Sequence, residues 1–144
     1  MEETGSLSRF IDAQQSVYEE ALKEVQNGKK RSHWMWYIFP QIAGLGFTDT
    51  SKYYAIKDLK EAEEYLNHPL LGARILEISK ALLKLDTRDA YSVFGSPDDL
   101  KLHSSMTLFS MVPNSDPVFH KVLHEYFNGH DSKTLQILDE LGYE

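Results

Sequence analysis

What most constrains this chain is its punctuation. Apolar residues recur at helical spacing in one segment after another, each bounded by a helix-starting residue and by glycine or proline, while strand-like alternation is missing. The first segment runs from about Ser8 to Asn27, with Phe10, Ile11, Val17, Tyr18, Ala21, Leu22 and Val25 on one face and Gly28 as its C-terminal stop. Ser32 is placed to cap a short helix ended by Pro40, and Asp58 starts one that reaches Asn67. Pro69 opens a longer helix carrying Leu71, Ile75, Ile78 and Leu82. Thr87 to Phe94 stops at Gly95; Ser96, Pro97 and Asp99 then start a helix that ends before Pro113. Pro117 to Asn128 is followed by Gly129, and Asp131 caps the last helix. The expectation is an all-α fold, a compact single-domain bundle of about six or seven helices with short connections. It would span residues 1–144, with residues 1–7 or so as a flexible N-terminus.

Composition limits what such a bundle can be. With 144 residues, 42% of them hydrophobic, one core can form without disulfides or a structural metal. Cysteine is absent, which excludes thiolate catalysis and Cys-ligated zinc or iron-sulfur sites and suits a reducing compartment. The polar, acidic N-terminus lacks the features of a signal peptide, so a cytoplasmic location is expected. The longest aromatic-apolar run, Trp34 to Phe39, is far below the roughly 20 residues that span a bilayer, so no membrane partner is expected. A net charge of −7 opposes nucleic-acid binding, and Lys29, Lys30 and Arg31 form the one concentration of cations, directly before the aromatic segment.

The informative residues of a helical chain are polar ones that periodicity puts on the buried face, because burying them is costly unless they find partners. Lys101 and Ser105 fall on the arc of Leu102, Met106, Phe109 and Val112, one turn apart. They could form a hydrogen-bonded pair in which a desolvated amine serves as base or anion-binding charge; the other reading is a lysine that snorkels to the edge. Gln14 lies near the middle of the first helix's apolar arc, either holding the segment Ser32–Gln41 or contacting a ligand. Arg74 falls on the arc of the Pro69 helix, a candidate partner for an anion or an internal carboxylate, and Gly72 beside it suggests close backbone approach. The segment Ser32–Gln41 holds both tryptophans and two further aromatics. These rings can be core, or they can offer Trp36 as a stacking surface, extended by Tyr53 and Tyr54, with His33 and Gln41 as polar contacts.

Several motifs fail. Gly28 to Ser32 resembles the end of a P-loop, but Lys23 stands where the upstream glycine is required and a helix precedes it. Gly44-Leu45-Gly46 lacks the third glycine of a dinucleotide fingerprint. His120 and His124 have metal-ligand spacing but project from the polar side of their helix. No metal and no cofactor are expected.

The marked residues coincide with a family pattern. Arg9-Phe10-Ile11-Asp12-Ala13-Gln14, Ser32-His33-Trp34-Met35-Trp36, Phe39-Pro40-Gln41, Gly44-Leu45-Gly46, Tyr54-Ala55-Ile56, His68 to Arg74 and Lys101 to Phe109 resemble the family called Domain of Unknown Function 1810. The resemblance covers nearly the whole chain and implies an all-α fold without an established activity. Members have been labelled calpastatin, but this chain has none of the disordered repeats such an inhibitor reading needs. A more distant likeness, over Ser51 to Ile56 and Gly95 to Lys101, is to small helical proteins that act on NAD-derived and ADP-ribosylated compounds. Two functions are therefore expected to compete. One is binding or processing of a phosphorylated nucleotide-like small molecule, NAD or ADP-ribose derived, in a polar pocket under the aromatic segment. There His33, Lys101 and Ser105 are the candidate catalytic residues, and Gln14, Trp36, Gln41, Tyr54 and Arg74 the candidate ligand contacts. The other is a non-catalytic protein-interaction domain acting as a homodimer.

Overall fold

The computed structural model describes residues 2–142, with side chains from Leu7 onward. Its elements are α1 (Glu2–Gln15), α2 (Tyr18–Gln26), α3 (Met35–Ile38), α4 (Asp49–Tyr53), α5 (Leu59–Asn67), α6 (Pro69–Leu83), α7 (Ala90–Phe94), α8 (Asp98–Ser110), α9 (Val118–Phe127) and α10 (Ser132–Glu140). The fold is all-α: among the described residues no strand forms, only an isolated parallel bridge between Ile42 and Ile56. Seven of the ten helices have seven residues or more, which matches the expected number of full-length helices; α3, α4 and α7 are single turns.

Two boundaries differ from those read in the sequence. The expected first helix is broken at Ser16–Val17, where the Val17 N–H closes a tight turn on the Gln14 carbonyl (3.1 Å) before α2 begins. Both sides of the break are held by α6, since Arg74 donates to Gln14 Oε1 (3.3 Å) and the Tyr18 hydroxyl donates to the Arg74 carbonyl (3.1 Å). The expected flexible stretch overlaps α1, which starts at Glu2.

Local chemistry accounts for most helix ends. Asp58 and Asp131 cap α5 and α10 by accepting from Glu61 N (2.8 Å) and Thr134 N (3.1 Å). His68 caps α6, its Nδ1 accepting from Leu70 N and Leu71 N, with Pro69 in the first turn. Gly28, at φ +75°, terminates α2 in the left-handed region where glycine costs least. Ser32 and Ser96 do not cap, contrary to expectation: Ser32 gives its hydroxyl to Glu24, and Pro97 rather than Ser96 precedes α8.

α8 is the central helix, packed by α5, α7, α9 and α10. Leu102 and every residue from Ser104 to Ser110 are buried. Such an all-round burial tolerates hydroxyls because three of the four find an acceptor: Thr107 donates to His103 O, Ser110 to Thr107 O and Ser104 to Asp131 Oδ2. Around α8 the core is knitted by contacts from Phe10 to Tyr65 (5.1 Å, edge on), Tyr65 to Phe109 (5.4 Å) and Phe109 to Phe119 (5.7 Å). Gly72 permits α6 to touch the end of α5: a Cβ there would lie 2.1 Å from the Leu66 carbonyl oxygen, the close approach its position suggested.

Candidate ligand cleft

The aromatic segment is held in place by a buried carboxylate. Glu24 Oε1 accepts from Arg31 N (2.9 Å), Ser32 N (3.1 Å) and Trp34 Nε1 (2.9 Å), and its Oε2 accepts from the Ser32 hydroxyl (2.6 Å). Burial alone would raise this carboxyl's pKa, but the donors from Ser32, Arg31 and Trp34 outweigh it and hold the pKa at about 2. Trp34 is thereby fixed as core, against Phe39 and Phe94. Two residues on, in the single turn α3, Trp36 is only half-buried and faces outward from the same support.

Trp36 sits where three concavities meet. One, of about 300 Å³, is bounded by Lys30, His33, Asp98 and Lys101. A second, of about 270 Å³, shares Trp36 and Lys101 and continues to Gln41, Ser104, Asp131 and Lys133. The third is small, about 90 Å³, and lies between residues 41–46 and Ser51, Tyr54 and Ala55. Shared walls make these one cleft with Trp36 in the middle, in the size range of small-molecule sites.

Its electrostatics are set by an ion triad. Lys101 Nζ stands 4.0 Å from the Trp36 ring centre and 3.1 Å from Asp98 Oδ1. Lys30 Nζ is 2.8 Å from Asp98 Oδ2, lies 4.9 Å from the Trp34 ring centre and also donates to Ser32 O. Burial would raise the Asp98 pKa, yet the two ammonium groups hold it below the usual carboxylate range. Two cations share one anion, so this part of the wall has a positive surplus.

The residues singled out by pattern fall into three groups. Trp36, Gln41 and Lys101 share one wall of the cleft, His33 joins Trp36 and Lys101 on the other side, and Tyr54 lines the small pocket. Gln14 and Arg74 lie apart, in an internal network. Gln14, 1% exposed, donates to Tyr37 O (2.8 Å) and Tyr65 Oη (2.9 Å), while Arg74 stacks on Tyr18 (4.9 Å). Of the two roles open to Gln14, holding the aromatic segment is the one these bonds perform. Arg74 pairs with an amide and a ring, with neither a cleft anion nor a carboxylate among those contacts. Ser105 forms the third group: it is fully buried, its Oγ has no hydrogen-bond partner, and Lys101 turns to Asp98 instead. The lysine-serine pair is therefore not formed, because Asp98 offers the ammonium a charged partner one turn earlier.

Glu24, Asp98 and Lys133 were not singled out by the sequence pattern, and Asp131 only as a helix cap. Asp98 could have been, since it stands three residues before Lys101 on the same helix. Glu24, next to Val25 on the apolar arc of α2, carried the same signal as Gln14. His120 and His124 are exposed, and no group of three His, Asp or Glu side chains among the described residues could hold a metal ion.

Fold and cleft together define a small all-α protein with an aromatic, cation-flanked surface cleft. Residues 4–138 match the family described as Protein of unknown function (DUF1810), and the chain belongs to that family. Among solved structures it is similar to the conserved hypothetical protein Rv1873 from Mycobacterium tuberculosis. That similarity has 42% sequence identity and a TM-score of 0.90, and it covers 92% of this chain and 96% of that one. No curated protein matches the chain. No helix among the described residues is long and apolar enough to cross a membrane.

Proposed function

We propose that this protein binds a phosphorylated, nucleotide-like small molecule, of the NAD or ADP-ribose class, across Trp36. The observation that carries the reading is the placement of Trp36: a half-buried indole at the junction of the clefts with the Lys101 ammonium on its face. A flat ring finds a stacking surface there, and an anion finds Lys101 and Lys133 along one wall, with Lys30 on the other side of the indole. The proposed ligand is small, with no nucleic acid or membrane as partner, and the proposed location is the cytoplasm. Of the candidate catalytic residues, His33 and Lys101 line the cleft and would be the ones to move a proton; Ser105 is not part of the lining.

Titration with AMP, NAD and ADP-ribose tests this through tryptophan fluorescence. Trp34 is shielded in the core and serves as an internal reference, so quenching should come from Trp36 and vanish in Trp36→Phe. Trp36→Ala should weaken binding by roughly tenfold or more, the value of one ring stack. Unchanged affinity in that variant would sink the proposal.

A second reading is favoured by one observation. Phe47 is 86% exposed beside Gly46, and Leu100 is 60% exposed on the same cleft wall as Gly46, an apolar rim of the kind that docks a protein partner or a second copy. Light scattering of the wild type and of Phe47→Ser would detect it as a dimer that the substitution dissolves.

A further inference from the structure

We propose that the phosphate of the cleft ligand is bound at the Gln41 end, between the Gln41 side-chain amide, Lys133 and the first turn of α10. This deepens the reading above and rests on it. Three observations meet there. First, Gln41 is only 8% exposed and lines this part of the cleft, yet its Nε2 has no hydrogen-bond partner. A buried amide donor without an acceptor is a cost of folding, and an anionic oxygen is the acceptor that would relieve it most.

Second, α10 begins at this spot. Its cap, Asp131, is committed: Oδ2 accepts from Thr134 N, Thr134 Oγ1 (2.7 Å) and Ser104 Oγ (3.1 Å). The amides of Ser132 and Lys133 precede the first intrahelical carbonyl they could reach, and Asp131 and Lys133 of this helix start line the same space. Third, each end of the cleft has a carboxylate, and the two differ in what they hold: Asp131 is turned to Thr134 and Ser104, whereas Asp98 takes up both ammonium groups at the opposite end. Asp98 occupies Lys30 and Lys101 there, so a phosphate at that end would have to displace or face a carboxylate. At the Gln41 end Lys133 forms no ion pair among the described residues, and Lys101, 4.0 Å over Trp36, stands between ring and phosphate. The orientation follows: ring on Trp36, phosphate toward α10.

The test combines stability and binding in Gln41→Met, which keeps the volume and removes the unpaired donor, and in Lys133→Met, a surface change that folding tolerates. Thermal unfolding and calorimetric titration would use AMP, adenosine and inorganic phosphate as probes. The expected result is that Gln41→Met melts roughly 2–4 °C higher than wild type, because it removes an unsatisfied group, while binding AMP about tenfold more weakly. Lys133→Met should also weaken AMP, leave adenosine unchanged and reduce the salt dependence of AMP binding. A lower melting temperature for Gln41→Met would overturn the inference by showing that the amide has a structural partner. So would unchanged AMP affinity in both variants, or equal affinity of the wild type for AMP and adenosine; either of these leaves the Trp36 reading standing. Failure of the wild type to bind any of the three probes would overturn both.

Discussion

Replacing Glu24 by glutamine tests how the cleft is held up. The carboxylate accepts four hydrogen bonds from Arg31, Ser32 and Trp34, and they shift its pKa from 4.5 to about 2. Because the folded value lies below the unfolded one, the stabilisation is fully present above pH 4.5 and is lost as pH falls toward 2. At 1.4 kcal/mol per unit, the shift corresponds to about 3 kcal/mol at pH 7. By pH 3 the wild type has itself lost about 2 kcal/mol of this, since the unfolded chain is protonated there and the folded one is not.

The variant lacks that titration. Glu24→Gln should therefore be less stable than wild type by up to about 3 kcal/mol at pH 7 and by only about 1 kcal/mol at pH 3. Urea unfolding at pH 7, 5 and 3, followed by far-UV circular dichroism, measures the two curves. All other carboxylates titrate alike in both proteins, so the narrowing of the gap isolates Glu24. A gap that stays constant from pH 7 to pH 3 would refute the claim that the charge of Glu24 organises this loop.

Other outcomes follow from the packing. Gly72→Ala should destabilise by about 3 kcal/mol despite alanine's better helix propensity, because the new methyl meets the Leu66 carbonyl at 2.1 Å; chemical denaturation checks the sign. Arg74→Met should cost about 1–2 kcal/mol through Gln14 and Tyr18 while leaving AMP affinity unchanged, and a selective loss of binding would return Arg74 to the site.

Helix positions were legible wherever the chemistry is local. Asp58, Pro69, Gly28 and Asp131 act within a turn of themselves, so their neighbours in sequence are their neighbours in space. Ser32 was misread because the group that claims its hydroxyl, Glu24, belongs to the preceding helix, across the Gly28 turn. The single turns α3 and α7 are legible from their stops, Pro40 and Gly95, whereas α4 is too short to show a period and is not read. The break at Ser16–Val17 is held from α6, far along the chain, and no local signal marks it.

The site was legible only as a set of inward polar residues, and that set mixed two kinds. Gln14 and Gln41 give the same signal in sequence, an amide among apolar residues, and both are buried. Gln14 spends its amide on Tyr37 and Tyr65 and its oxygen on Arg74, so nothing is left for a ligand. Gln41 keeps a donor that the fold does not use, at a cost on the order of 1–3 kcal/mol. Burial of a polar group thus finds internal networks and binding sites alike, and its hydrogen-bond account separates them. The sign of the stability change in Gln41→Met is for that reason more direct than a ligand screen: a screen can miss the right compound, whereas removing an amide that has a partner inside the fold strands that partner and costs stability.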